Sequence, residues 1–222
     1  MKRVPAKAPV SRHPEVVVAR VLAAAQVEFM AVGYEAASTN RITKAFGGSK
    51  ATLFRHFPTK EALLEGVIRA IASRWSVAVA AEAIPDGPPA EWLAAYARRT
   101  LDWILGEEPL FIGRLAIAEG HKFPSLQHVF AETAGGPLAT ALSERLAKWH
   151  RRGDLACSSP EGDATRFLDL TVSGLVSRAL YRQPPLSAAE RAEHVSRSVA
   201  LFLDGCRARP ADSSLPAARP KR

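Results

Sequence analysis

Between Ser38 and Lys60 the chain reads Ser-Thr-Asn-Arg-Ile-Thr-Lys-Ala-Phe-Gly-Gly-Ser-Lys-Ala-Thr-Leu-Phe-Arg-His-Phe-Pro-Thr-Lys, and little choice of structure is left to it. Ser38 or Thr39 caps a helix, because a hydroxyl there accepts a hydrogen bond from an otherwise unpaired N–H. Gly47-Gly48 makes a tight turn. The next helix runs from about Ser49 to Phe57 and must stop before Pro58, whose ring disfavours helical backbone in the residue ahead of it. Two short helices across a glycine turn form a unit whose second helix can lie in the major groove of DNA. That second helix carries Lys50, Thr52, Arg55 and His56, while Leu53 and Phe57, with Ile42 on the first helix, are its core anchors.

Charge follows the same segment. Residues 1–60 hold ten Lys/Arg against three acids, which is +7 of the chain's +8. Residues 61–206 sum to −3 and residues 207–222 to +4. Affinity for a polyanion comes from Lys and Arg displacing condensed counterions, so clustered charge matters more than total charge. Lys44 and Arg41 also fit a plain solvated face.

The 222 residues provide for a substantial core, 47% of them are hydrophobic, and recognisable strand runs are absent, which predicts an all-α chain. No apolar run approaches the about 18–20 residues of a membrane span. Met1–Pro9 has no apolar stretch behind its charge and does not read as a secretory signal. Cys157 and Cys206 lack metal-ligand spacing, as do His121 and His128, and no cofactor or metal is expected. The expected setting is the reducing cytoplasm.

Helix signals follow in order. After a basic arm (1–12), Pro14 opens a helix with an apolar stripe at Val18, Val21, Leu22, Ala25 and Phe29, ended by Gly33. Thr59 caps a long fourth helix that ends before Pro85. A fifth spans about Ala90 to Leu105, and a sixth runs from Pro109 to about His121. A seventh starts at Pro124, is interrupted at Gly135-Gly136-Pro137 and resumes to Arg152. An eighth runs from Ser159-Pro160-Glu161 to Arg182. Ser187-Ala-Ala-Glu190 is a capping box for a ninth, ended by Gly205. The expected division is 1–12 arm, 13–59 helix-turn-helix domain, 60–208 helical domain and 209–222 basic tail.

Ser38–Phe57, with Pro58-Thr-Lys-Glu-Ala-Leu63 after it, resembles the TetR family of bacterial transcriptional regulators. The segment Gly113–Leu126 and Trp149-His-Arg-Arg-Gly-Asp-Leu155 are similar to the AefR-like subgroup, so the likeness extends over most of residues 14–205. It implies about nine helices: a three-helix DNA-binding domain followed by a ligand-binding and dimerisation domain. It further implies a homodimer on a palindromic double-stranded operator, released by a small effector, with no membrane partner.

At the DNA end, Lys50 suits a phosphate or guanine edge, and Ser49 with the free N–H groups beside it suits a phosphate. Ala51 permits close approach and a thymine methyl contact, and Thr52 can donate to phosphate or base. His56 and Lys60 match family positions that hold phosphates, while Thr39 and Asn40 open the helix where the family places a phosphate contact. Arg55 and Arg41 are further base-contact candidates. The chain departs from the family twice: Phe54 stands where tyrosine is usual, which removes a hydroxyl contact, and Gly48 replaces a branched apolar residue, a gap Phe46 can refill.

The family's pocket implies an apolar or amphipathic effector lined by Trp75, Trp92, Tyr96, Trp103, Phe111, Leu115, Phe123, Phe130 and Phe167, with Arg114, Glu119, His121 and Arg178 as polar groups. Each aromatic also fits ordinary packing. The implied dimer contact draws on Val172, Leu175, Val176, Ala179, Val195, Val199, Phe202 and Leu203. A TetR-like protein with an architectural or partner-binding role is the alternative. Gly-x-Ser-x-Gly, His-Glu-x-x-His and Gly-x-x-x-x-Gly-Lys-Ser/Thr are missing, so no catalysis is expected.

Overall fold

The computed structural model describes residues 13–81, 84–122, 128 and 136–206, and among them every regular element is helical. The order is α1 (Pro14–Ala36), α2 (Thr39–Phe46), α3 (Lys50–His56), α4 (Lys60–Ala81), α5 (Pro89–Ile104), α6 (Glu107–Glu119), α7 (Gly136–Arg152), α8 (Pro160–Leu168), α9 (Gly174–Leu180) and α10 (Ala188–Gly205). Two compact units result. One takes Met1–Glu82 with Glu107–Gly135, the other Ala83–Gly106 with Gly136–Arg222. Both units therefore cross the boundary expected at residue 60.

In the first unit the stripe of α1 does what its spacing predicts. Val21, Ala25 and Phe29 are fully buried and join Ile42, Phe46, Leu53, Leu63, Leu64, Val67, Ile68 and Ile71 in one core. Each such side chain withdrawn from water favours the fold by about 1.5–3 kcal/mol before its ordering cost. Gly33 breaks the helical backbone at φ 78°, ψ 174°, leaving a single turn to Ala36. Contrary to the sequence expectation, α1 is long and apolar enough to cross a membrane by length and composition alone. Its buried stripe instead packs against α2, α3 and α4.

Helix α6 begins at Glu107, ahead of the expected Pro109, because the first turn of a helix tolerates a residue without an N–H. It brings Ile112 and Leu115 into the same core. Glu108 ties it down, accepting from Gln26 Nε2 at 2.6 Å and from Arg74 Nη2 at 2.8 Å. Thr59 caps α4 as expected, its Oγ1 accepting from the Ala62 N–H at 3.0 Å.

In the second unit Trp92 stacks on Tyr96 at 5.1 Å and meets the edge of Trp149 at 5.5 Å. The Arg145 guanidinium lies 5.1 Å from both tryptophan rings and pairs with Asp86. The expected eighth helix is continuous only through a wider π turn at Asp169–Ser173 between α8 and α9, and it stops at Leu180 rather than Arg182, whose φ is +55°. The carbonyls of that turn find partners on α10: Ser198 Oγ donates to Leu170 O at 3.4 Å, and His194 Nε2 lies 2.9 Å from Thr171 O. The capping box is present, with the Glu190 N–H donating to Ser187 Oγ and the Ser187 N–H to Glu190 Oε2. Most of the expected seventh helix, including the residues before Gly136 other than His128, lies outside the described residues.

Candidate nucleic-acid interface

Helices of eight and seven residues cannot hold themselves in water. Their neighbours hold them. Ser38 caps α2, its Oγ accepting from the Arg41 N–H at 3.4 Å, and its own N–H donates to Glu28 Oε1 at 2.9 Å. Gly47 ends α2 in the left-handed region at φ 69°, ψ 36°. Arg20 Nη2 donates to the carbonyl of Phe46, the last residue of α2. A Cβ on Gly48 would stand 1.9 Å from the Phe46 ring. The ring thus occupies the space that a residue 48 side chain would need.

Ser49 caps α3: its Oγ accepts from the Thr52 N–H at 3.1 Å and lies 2.9 Å from the Thr52 hydroxyl. Leu53 is fully buried and Phe57 packs on the same core, so one face of α3 is fixed inward. Lys50, Ala51, Phe54 and Arg55, at i, i+1, i+4 and i+5, form the opposite, exposed face. Thr52 and His56 are half-buried at its margins. At the start of α2, Asn40 is exposed and Thr39 half-buried.

Two expected contacts are already engaged within the chain. Arg41 Nε donates to Glu28 Oε1 at 2.8 Å and its Nη2 to Ala36 O at 2.9 Å. The arginine and the Ser38 N–H hold the Glu28 carboxyl below its usual range. Lys60 Nζ donates to Glu35 O at 3.0 Å and sits 4.8 Å above the Tyr34 ring. Arg20 and Glu28 were not singled out in the sequence, although their eight-residue spacing equals the length of α2.

The expected effector residues divide between the units. Phe111 and Leu115 pack in the core of the first, Arg114 is half-buried there, and His121 is exposed. Glu119 pairs with Lys122 at 3.0 Å. Phe123, Phe130 and the side chain of Trp75 lie outside the described residues. In the second unit Trp92 and Tyr96 are buried, and the Tyr96 hydroxyl donates to Leu138 O at 2.7 Å, with burial pushing its pKa up. Trp103 is half-buried, and Phe167 is fully buried with its ring edge-on to Phe202 at 5.1 Å. Arg178 Nη2 donates to Pro184 O at 3.1 Å and holds the turn before α10.

Of the residues implied for a dimer contact, Val172, Leu175, Val195, Val199 and Phe202 are buried within the chain's own fold, and Val176, Ala179 and Leu203 are half-buried. The large apolar residues of these helices that face outward are Leu170 and Leu201, the latter 64% exposed. Both line a groove with Glu190, Glu193, His194, Arg197 and Ser198.

Comparison with known proteins agrees with this architecture. Residues 21–67 match the tetR family of bacterial regulatory proteins, and residues 91–206 match the C-terminal domain of AefR-like transcriptional repressors. An HTH-type transcriptional repressor of Mycobacterium tuberculosis, Rv1474c, is 27% identical over 181 residues, 81% of this chain and 91% of its own length. A TetR-family regulator from Mesorhizobium loti superposes with a TM-score of 0.76 at 25% identity, covering 88% of this chain and 98% of that one. The flavonoid-responsive regulator FrrA superposes at 0.74 with 26% identity, covering 87% and 98%. With a family-typical head, a C-terminal match over more than half the chain and an all-helical fold, the protein belongs to the TetR family of bacterial transcriptional regulators.

Proposed function

We propose that the protein is a repressor that reads a palindromic operator as a homodimer and is released by a small apolar or amphipathic effector. The observation that carries this reading is the outer face of α3, where Lys50, Ala51, Phe54 and Arg55 are exposed on a helix anchored from behind by Leu53. A small residue between a lysine and an arginine lets the helix axis approach base edges while cations meet phosphates. Thr52, His56, Ser49, Thr39 and Asn40 flank that face, and Lys60 and Arg41 reach a phosphate or base by leaving their present partners.

The partner copy is proposed to pack on the outward sides of α8, α9 and α10, around Leu170 and Leu201. Glu193 and Arg197 lie on one helix there, so a two-fold arrangement sets opposite charges against each other. Two heads then read half-sites about 34–36 Å apart or a multiple of that. FrrA's responsiveness to flavonoids puts flat amphipathic aromatics first among effector classes to try.

Selection of duplexes from a random pool, followed by salt titration, tests the reading. A palindrome is expected, and Lys50→Ala should lower the slope of log affinity against log salt by about 1. A pool that yields no enriched duplex, or an unchanged slope, defeats the assignment.

A further inference from the structure

We propose that Arg20 and Glu28 of α1 are positioning residues for DNA reading: they clamp the two ends of α2 and thereby set the angle at which α3 meets a duplex. The inference rests on the reading of α3 just given. Arg20 reaches the carbonyl of Phe46 at the C-terminal end of α2. Glu28 reaches the other end, where one carboxylate oxygen takes the Ser38 N–H at 2.9 Å and the Arg41 Nε–H at 2.8 Å. Arg41 closes the N-terminal clasp by donating to Ala36 O at 2.9 Å.

Length makes this a matched device. Eight residues separate Arg20 from Glu28, a rise of about 12 Å along α1. Helix α2 has eight residues and the same span of about 12 Å. Two side chains of one helix therefore meet both termini of its neighbour at once. The signs also match: a cation stands at the carbonyl end of the α2 dipole and an anion at its N–H end. Glu28 is only 13% exposed, so solvent screens its end of the clamp weakly.

Apolar packing alone does not fix this angle. Ile42 and Phe46 bury α2 against α1, but such contacts are non-directional and permit rocking. Hydrogen bonds at both ends remove that freedom. Only Gly47-Gly48-Ser49 separates α2 from α3, so any tilt of α2 passes to the exposed face of α3. In this arrangement Arg41 acts through Glu28 rather than on a base.

The test measures fluorescence anisotropy on the selected duplex and on a scrambled duplex of the same length and composition, across a salt series. Arg20→Ala and Glu28→Ala should each lower the ratio of the two affinities about tenfold, the discrimination carried by one well-made base contact. The salt slope on scrambled DNA should stay unchanged, because the phosphate-contacting side chains remain. Arg20→Lys keeps a cation for the Phe46 carbonyl and should stay near the wild-type ratio. Should the alanine variants lose helical signal, Glu28→Gln decides: it keeps an acceptor for the Ser38 N–H, loses the ionic hold on Arg41, and is expected to lower the ratio by a smaller factor. A wild-type ratio in folded alanine variants, or in Glu28→Gln, overturns the inference alone, as does a fall that is equal on both duplexes. A wild-type chain that prefers no duplex overturns the functional reading beneath it.

Discussion

Phe46 and Gly48 share one volume. The resemblance to the family implies a branched apolar group in the turn, yet here the ring of Phe46 fills that space from two residues back. Gly48→Val alone should destabilise the head, because the new Cβ meets the ring at 1.9 Å. Phe46→Ala alone should cost about 3–5 kcal/mol by opening a cavity. The double variant should cost less than the sum of the two, since each change relieves the other. Chemical denaturation of the four proteins measures this coupling, and simple additivity would show that the two sites are independent. The sequence made the gap legible because turn and filler are near neighbours. It did not reveal the engagement of Arg41, because the carboxylate that holds it lies thirteen positions earlier and meets it only through tertiary packing.

Elements were readable wherever their signals are local. Ser187 and Glu190 announce α10 from within four residues, and Ser38 and Ser49 announce α2 and α3 in the same way. Ser187→Ala should cost about 1 kcal/mol in thermal unfolding, the usual loss for a cap hydroxyl. Hydrogen bonds from the Ser187 side chain and backbone hold the Glu190 carboxyl below its usual pKa of 4.5. Its contribution is therefore present above that pH and is lost as pH falls through the lower, folded value. The stability difference between wild type and Glu190→Gln should be constant near neutrality and shrink in melts below about pH 4.5. The π turn inside the expected eighth helix has no such local signal: Asp169–Ser173 carries helix-compatible residues, and its carbonyl partners come from α10.

For the whole molecule, the helical pattern revealed which residues are apolar but not which copy they serve. Val195, Val199 and Phe202 recur at helical spacing, and that stripe faces the chain's own interior. Leu201 faces outward beside them. Leu201→Glu should leave folding intact, since the side chain is 64% exposed, while dispersing the dimer. Sedimentation would then report a single copy at micromolar concentration and footprinting a lost palindrome, whereas an unaltered sedimentation coefficient would place the contact elsewhere. The wide turn at Asp169–Ser173 bears on the same surface, because a π turn carries one residue more than an ordinary helical turn. Excising one residue there would straighten the rod and swing Leu175 and all that follows by about 100°. Among relatives, a single-position gap at this spot would mark a change in which side of the rod is turned to a neighbour, with almost no change in its reach.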